Sequence, residues 1–275
     1  MPRLHLFEFN DQPWLPEFLR EAMVEAISRA TRMGRLYDKA TGAFLDLVRR
    51  SGGRRVLDLC SGAGGPASVL ADAANQAGAA GVRITLSDLF PNQAAFEAVA
   101  ARYPGTIDFR PEPVDATDVS PGIEHSVRTI VGAFHHFPPD LARRILESAV
   151  RDRKGIFVIE AFPRSVIRFT AMMPYFTLAA LAGPFTAPKN RLLKFLVTYL
   201  VPVLWPVGLF DGIVSALRIY KEEEVESMGR ALDAGYVWEF GVSPYPPWGR
   251  ATWFSGRPAE WGDGTTTSKE QTDVG

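Results

Sequence analysis

Four acids and two adjacent histidines stand in or just after short apolar runs of this sequence, a placement suited to holding a polar ligand. Asp58 lies within Val56-Leu57-Asp58-Leu59, Asp88 follows the run 82–86, Asp115 follows Val114, Glu160 lies at the end of 155–161, and His135-His136 follows 127–133. A carboxylate accepts hydrogen bonds and attracts cations, so such acids suit an ammonium, ribose hydroxyls or an exocyclic amine. Histidine titrates near neutrality and can take the proton of a hydroxyl that attacks an electrophile. After Asp58 comes Cys60-Ser61-Gly62-Ala63-Gly64-Gly65-Pro66. There Gly62 and Gly64 let backbone approach a ligand closely, and the following helix offers unpaired N–H groups.

These residues need a scaffold that gathers strand ends along one edge. A strand over 55–59, an Ala-rich helix over 66–76 and a strand over 82–86 form a βαβ unit. Next come a helix over 92–102, a strand at 107–110, and a loop with Asp115 and Asp118. A strand over 127–133, a helix over 141–150 and a strand over 155–161 complete the alternation. Open α/β sheets bind ligands at the carboxyl edge of their strands. Asp88, 24 residues beyond Gly64, stands where such folds hold ribose hydroxyls. Asp115 can accept from an adenine amine, and Asp118 reads as a solvated or capping residue. The glycines do not decide the ligand, because Gly62-Ala63-Gly64-Gly65-Pro66-Ala67 also fits the dinucleotide pattern G-x-G-x-x-A.

Over about 55–161 the chain resembles the class I S-adenosylmethionine (SAM)-dependent methyltransferases. Val56-Leu57-Asp58-Leu59-x-x-Gly62-x-Gly64 is similar to their first motif. This implies that Asp58 faces the methionine amino group and that Gly62 and Gly64 line the cofactor. Asp88, with Leu89 beside it, matches the ribose acid, and Val114-Asp115-Ala116 resembles the adenine-side motif. Ala133-Phe134-His135-His136-Phe137-Pro138 resembles the motif after the fourth strand of small-molecule methyltransferases. The family commonly has glycine where this chain has Cys60. SAM carries an ammonium, a sulfonium and no phosphate, so Asp58 favours it over a nicotinamide dinucleotide.

The expected architecture is an α/β Rossmann-like methyltransferase sheet, mostly parallel, with helical additions. Residues 1–53 form an N-terminal helical cap, whose Tyr37-Asp38 can reach the cofactor or serve as ordinary helix residues. Residues 54–161 form the SAM-binding core, 162–217 a hydrophobic helical insertion, and 218–257 a helix and hairpin that complete the core; the resemblance puts that antiparallel hairpin at one sheet edge. Residues 258–275, rich in Gly, Thr, Ser and acids, read as a disordered tail.

The insertion holds two apolar segments, one around 172–181 and one over 192–210 that Pro202 and Pro206 interrupt. It has three readings: a lid over an apolar substrate that packs outward on the domain or on a second copy, a peripheral membrane contact with Lys189, Arg191, Lys194, Tyr199 and Trp205 at the interface, and a membrane span disfavoured by its prolines. Arg164 and Arg168 begin it and can hold an anionic substrate group. Tyr175 and Glu160, with Phe134, are the other substrate candidates.

Hydrophobic residues make up 47% of the chain, enough for a real core, and the net charge of −1 leaves no basic excess for nucleic acid. A lone cysteine, Cys60, allows no internal disulfide and fits a reducing cytoplasm, and Arg3, His5 and Glu8 interrupt the apolar core that a secretory signal would need. The expected protein is therefore a cytoplasmic or membrane-peripheral SAM-dependent methyltransferase acting on a small apolar metabolite, with SAM as cofactor and no metal. His136 is preferred over His135 as the base. The alternatives are a SAM-binding partner protein that does not methylate and a nicotinamide oxidoreductase.

Overall fold

A computed structural model describes residues 2–262 except 188, 233 and 234. Seven strands form one sheet: β1 (Arg55–Asp58), β2 (Arg83–Leu86), β3 (Ile107–Phe109), β4 (Val127–Val131), β5 (Gly155–Glu160), β6 (Tyr236–Tyr245) and β7 (Gly249–Pro258). Their order across the sheet is β3-β2-β1-β4-β5-β7-β6. β1 to β5 run parallel, while β7 pairs antiparallel with both β5 and β6. The chain winds outward from β1 to β3 and then restarts at β4 on the other side of β1. The carboxyl ends of β1 and β4 thus flank the crevice where such sheets bind ligands.

Helices cover both faces, which is why β4 and β5 are buried along their whole length. On one face lie α1 (Glu17–Met33), α2 (Thr41–Arg50) and α3 (Ser68–Gln76); α4 (Gln93–Ala100) flanks β3; and α5 (Pro139–Arg151) and α10 (Glu222–Arg230) cover the other face. Arg128 is a buried cation in β4, held by Ser148 Oγ at 2.9 Å, Asp152 Oδ2 at 2.5 Å and His125 Nε2 at 3.0 Å. Burial, then the charge of Arg128, pushes the His125 pKa down to about 4, which leaves its ring neutral and able to accept.

The insertion folds as α6 (Val166–Phe169), α7 (Met173–Thr186), α8 (Arg191–Phe195), a π-helical turn (Leu196–Leu200) and α9 (Leu204–Arg218). α7 packs along α1, so the N-terminal cap and the insertion form one helical layer. The second apolar segment is not straight: its halves Arg191–Leu200 and Leu204–Arg218 meet at 82° around Pro202. Two expectations need correction at the C-terminus. The hairpin strands are ten residues each, and the second runs to Pro258, past the expected bound of 257. Order also extends past 258: Pro258 pairs with Tyr236, and Ala259–Trp261 forms a 3-10 turn. The rest of the expected tail, 263–275, lies outside the described residues.

Candidate active site

The glycine loop leaves β1 through three residues of positive φ, Cys60 at 58°, Gly62 at 56° and Gly64 at 72°. This accounts for the glycine common there in the resembled family, and nothing in the structure explains the cysteine in its place. The loop needs a left-handed residue at position 60, where glycine is free and an L side chain costs about 1–2 kcal/mol. Burial, followed by Asp88, Asp58 and Asp115, raises the Cys60 thiol well above its ordinary value, so it is not a thiolate nucleophile. A Cβ on Gly64 would come within 2.7 Å of Leu86, whereas one on Gly62 would point into open space. The loop is therefore packed on the inside and clear on the outside.

The acids lie around this loop. Asp58 is 1% exposed and accepts from Ser61 Oγ at 2.5 Å and Thr129 Oγ1 at 2.6 Å. Burial raises its carboxyl to about 7, opposed by those two hydroxyls and aided by Asp88. It faces hydroxyls inside the sheet, where the resemblance implied a methionine amino group. Ser87 completes the cluster, its Oγ donating to the Asp58 carbonyl at 2.8 Å. Asp88 reaches over the loop: Gly62 N donates to Oδ2 at 2.8 Å and Phe90 N to Oδ1 at 2.9 Å, with Leu89 half exposed beside it. Each carboxylate oxygen keeps a lone pair for a further donor. Asp115 is exposed and accepts from the N and Oγ1 of Thr117, while Ala116 turns into the core. Acids around an open backbone cradle fit a cationic, phosphate-free adenosine ligand and would oppose a pyrophosphate.

Across the crevice, an apolar pocket lies between the strand ends and the insertion. Tyr37, Gly132, His135, His136, Glu160 and Ala161 line it from below, and Phe169, Met172, Phe176, Gly208 and Gly212 line it from the insertion. A 3-10 turn, Phe134–His136, sets the two histidines at the end of β4. Glu160 Oε1 accepts from His135 N at 3.0 Å, and Glu160 Oε2 lies 2.9 Å from His135 Nδ1. With both glutamate oxygens accepting from residue 135, Nδ1 carries the proton and Nε2 is the free acceptor.

His136, whose ring lies tilted against that of His135 with centroids 4.2 Å apart, is engaged elsewhere. Its Nδ1 lies 3.1 Å from Asp11, 3.3 Å from Arg218 Nη1 and 3.7 Å from Glu8. Arg218, buried at the end of α9, bridges Glu8 Oε1 at 3.0 Å and Asp11 Oδ2 at 2.8 Å. Ser215 donates to Glu8, and Asp211 accepts from the backbone N–H of Phe9 and Asn10. Arg3 reaches the carbonyls of His135, Phe137 and Arg218. Residues 3–11 thus strap α9 to the histidine turn. Sequence reading missed Glu8, Asp11, Asp211, Ser215 and Arg218. The one available signal was Arg3, His5 and Glu8 interrupting an apolar run.

Burial raises the Glu8 carboxyl from 4.5 to about 7, outweighing His136 and Arg218. Asp11 goes the other way: burial is outweighed by its bonds to His136 and Arg218, which hold it well below the usual range. Glu8, His135 and His136 offer ligand atoms within 4.8 Å of one another, a grouping that could hold a metal ion. Arg218 Nη1 lies 3.0 Å from Glu8 Oε1 and 3.3 Å from His136 Nδ1, so a cation there would meet a fixed positive charge.

Several candidates lie away from the pocket. Phe134 turns its ring into the core against Phe254 at 5.1 Å and Tyr220 at 5.4 Å, so only its backbone and that of the half-buried Ala133 face the crevice. Arg164 is buried and bonds the Ile219 carbonyl at 2.7 Å and the Glu224 carboxylate, a lock between the insertion and α10 rather than an anion site. Arg168 is tied to the Trp248 carbonyl and Tyr175 to the Pro246 carbonyl. Tyr37 does reach the pocket, its hydroxyl against Gly132.

No protein-family model and no curated protein matches the chain. Solved structures do resemble it. A candidate O-methyltransferase of Nostoc punctiforme PCC 73102 superposes with a TM-score of 0.50 at 15% identity, over 93% of this chain and 64% of that one. The chain therefore spans less than two thirds of that protein's length. PigF bound to S-adenosylhomocysteine aligns at 0.49 and 16% identity, over 90% of this chain and 62% of that one. The magnesium protoporphyrin IX methyltransferase of Synechocystis PCC 6803, also with S-adenosylhomocysteine, aligns at 0.45 and 13% identity over 91% of each chain. From its strand order, its glycine loop and the first of these superpositions, the chain has the class I SAM-dependent methyltransferase fold.

Proposed function

We propose that the protein is a SAM-dependent methyltransferase that alkylates a small, apolar acceptor, with an oxygen nucleophile favoured, in the pocket under α7 and α9. The observation that carries this reading is the Glu160–His135 pair on the floor of an apolar pocket, at strand ends adjoining the glycine loop. Asp88 and Asp115 would hold the ribose and adenine, and the loop backbone from Gly62 to Gly64 the amino-acid end. When bound, SAM supplies an electrophilic methyl group on a sulfonium that leaves as a neutral thioether.

This chain's residues supply the rest. Phe169, Met172 and Phe176 exclude water from the acceptor, and orientation of this kind accounts for about 7–11 kcal/mol of a barrier. As the acceptor oxygen bonds to the methyl carbon, its proton passes to His135 Nε2. Glu160, already bonded to Nδ1–H, stabilises the resulting imidazolium. His136 is better placed to hold the N-terminal strap than to act as base, which reverses the preference read from the sequence.

The test is calorimetry with SAM followed by a labelled-methyl screen of apolar hydroxylated metabolites. Wild type should bind SAM, and Asp88→Ala should weaken binding by about 1–3 kcal/mol. NAD binding without SAM binding would replace this reading with an oxidoreductase. SAM binding with no methyl transfer to any acceptor would favour a non-methylating SAM-binding protein.

A further inference from the structure

The insertion leaves much of its apolar surface outside. On α7, Phe176, Ala179 and Ala180 face inward, while Leu178 and Phe185 are 54% and 66% exposed. Leu192, Leu200 and Val201 are 80%, 67% and 54% exposed on α8, the π-helical turn and the bend that follows. Part of this surface is joined by ring contacts, Phe185 meeting the rings of Phe195 and Tyr199. A second exposed group lies on α9, where Phe210 contacts Phe7 of the N-terminal strap at 5.2 Å beside the half-exposed Leu209. Monomeric proteins seldom leave so many large apolar side chains together in water.

Charge distinguishes what covers this face. From Ala161 to Phe210 the sequence has no Asp or Glu, but it has Arg164, Arg168, Lys189, Arg191 and Lys194. Arg164 and Lys194 are buried against Glu224 and Glu25. Lys189 and Arg191 stand exposed at the turn between α7 and α8, next to Phe185 and Leu192. The strap follows the same rule: Glu8 is buried and Asp11 is paired, whereas Leu6, Phe7 and Trp14 are exposed. Exposed apolar residues edged by cations, with neighbouring acids buried or paired, match an anionic lipid surface. A second copy would bring the same cations against themselves.

We propose that α7, α8 and the bend before α9 seat the protein on the surface of an anionic bilayer. The 82° bend keeps the 191–218 pair from spanning as one straight helix, and the run Val166–Thr186, though long and apolar enough to cross, has its α7 portion packed along α1. Contact is therefore shallow, with Phe185, Leu192 and Leu200 in the interface. Tyr199 and Trp205 are not free anchors, since their polar atoms bond the carbonyls of Leu181 and Thr198.

The experiment is flotation of the full chain with vesicles of phosphatidylcholine alone or mixed with phosphatidylglycerol, with sedimentation of the protein alone in parallel. Wild type should float with the anionic vesicles, binding them about tenfold or more tighter than the neutral ones. Leu192→Glu with Leu200→Glu should abolish flotation while the circular dichroism spectrum stays unchanged. Lys189→Glu with Arg191→Glu, which alters no buried residue, should remove the preference for anionic vesicles. Failure of wild type to float with either vesicle overturns the proposal, as does a dimer that the leucine substitutions dissociate without any vesicle binding.

Discussion

The two halves of the crevice are built differently. On the cofactor side, Asp88 and Asp115 are engaged by near neighbours: Gly62, Phe90 and Thr117 lie within 26 residues of the acid they serve, and Asp58 adds Thr129, 71 residues away, to its near neighbour Ser61. On the acceptor side, Glu8 meets Ser215 across 207 residues, and Arg218 meets Leu6 across 212. A ligand common to a fold can be held by local motifs that travel with one βαβ unit. A pocket for a particular acceptor is closed by whatever elements the chain lays over it.

The largest test of that contrast is on the acceptor side. His135→Gln should lower kcat with the identified acceptor by about 10²–10⁴ while leaving SAM affinity unchanged; His136→Gln should change kcat far less. Equal losses in the two variants would make the histidines one structural unit and remove the base assignment.

Next comes Arg218→Leu. It leaves Glu8 and Asp11 without their cation and should cost about 3–5 kcal/mol, read as a lowered midpoint in denaturant. A loss of under about 1 kcal/mol would mean that the strap contributes nothing to the fold of the pocket.

The smallest effect is in pH. Because the folded Glu8 carboxyl is raised from 4.5 to about 7, the native state holds its proton to higher pH than the unfolded chain. Its contribution is complete below about pH 4.5 and is lost as pH rises through about 7. Asp58, raised to about 7, slopes the same way. Glu8→Gln should therefore flatten the fall of Tm across this interval without abolishing it. A Tm profile parallel to wild type would show that Glu8 is not held in a desolvated site.

How much was legible follows the same division. The glycine loop, Asp88 and the alternation of apolar runs are patterns of adjacent residues, and the fold they implied is the fold observed. That position 60 takes a left-handed backbone, which favours glycine, became visible only with its φ angle, which no residue type reports. Phe134 was assigned to the ligand from its place in the motif after the fourth strand and Arg164 from its charge at the start of the insertion, yet a side chain's direction depends on what packs against it. Phe134 met Phe254 and Tyr220 in the core, and Arg164 met Glu224.

The amino-acid sequence determined the parallel sheet, the cradle and the acids at its edge, because strand period, turn chemistry and short-range spacing are local properties. Tertiary structure alone decided where Glu8 and Arg218 meet and which face of the insertion looks outward. Those depend on contacts between segments some 200 residues apart, and their sign turns on burial, which only the assembled fold defines.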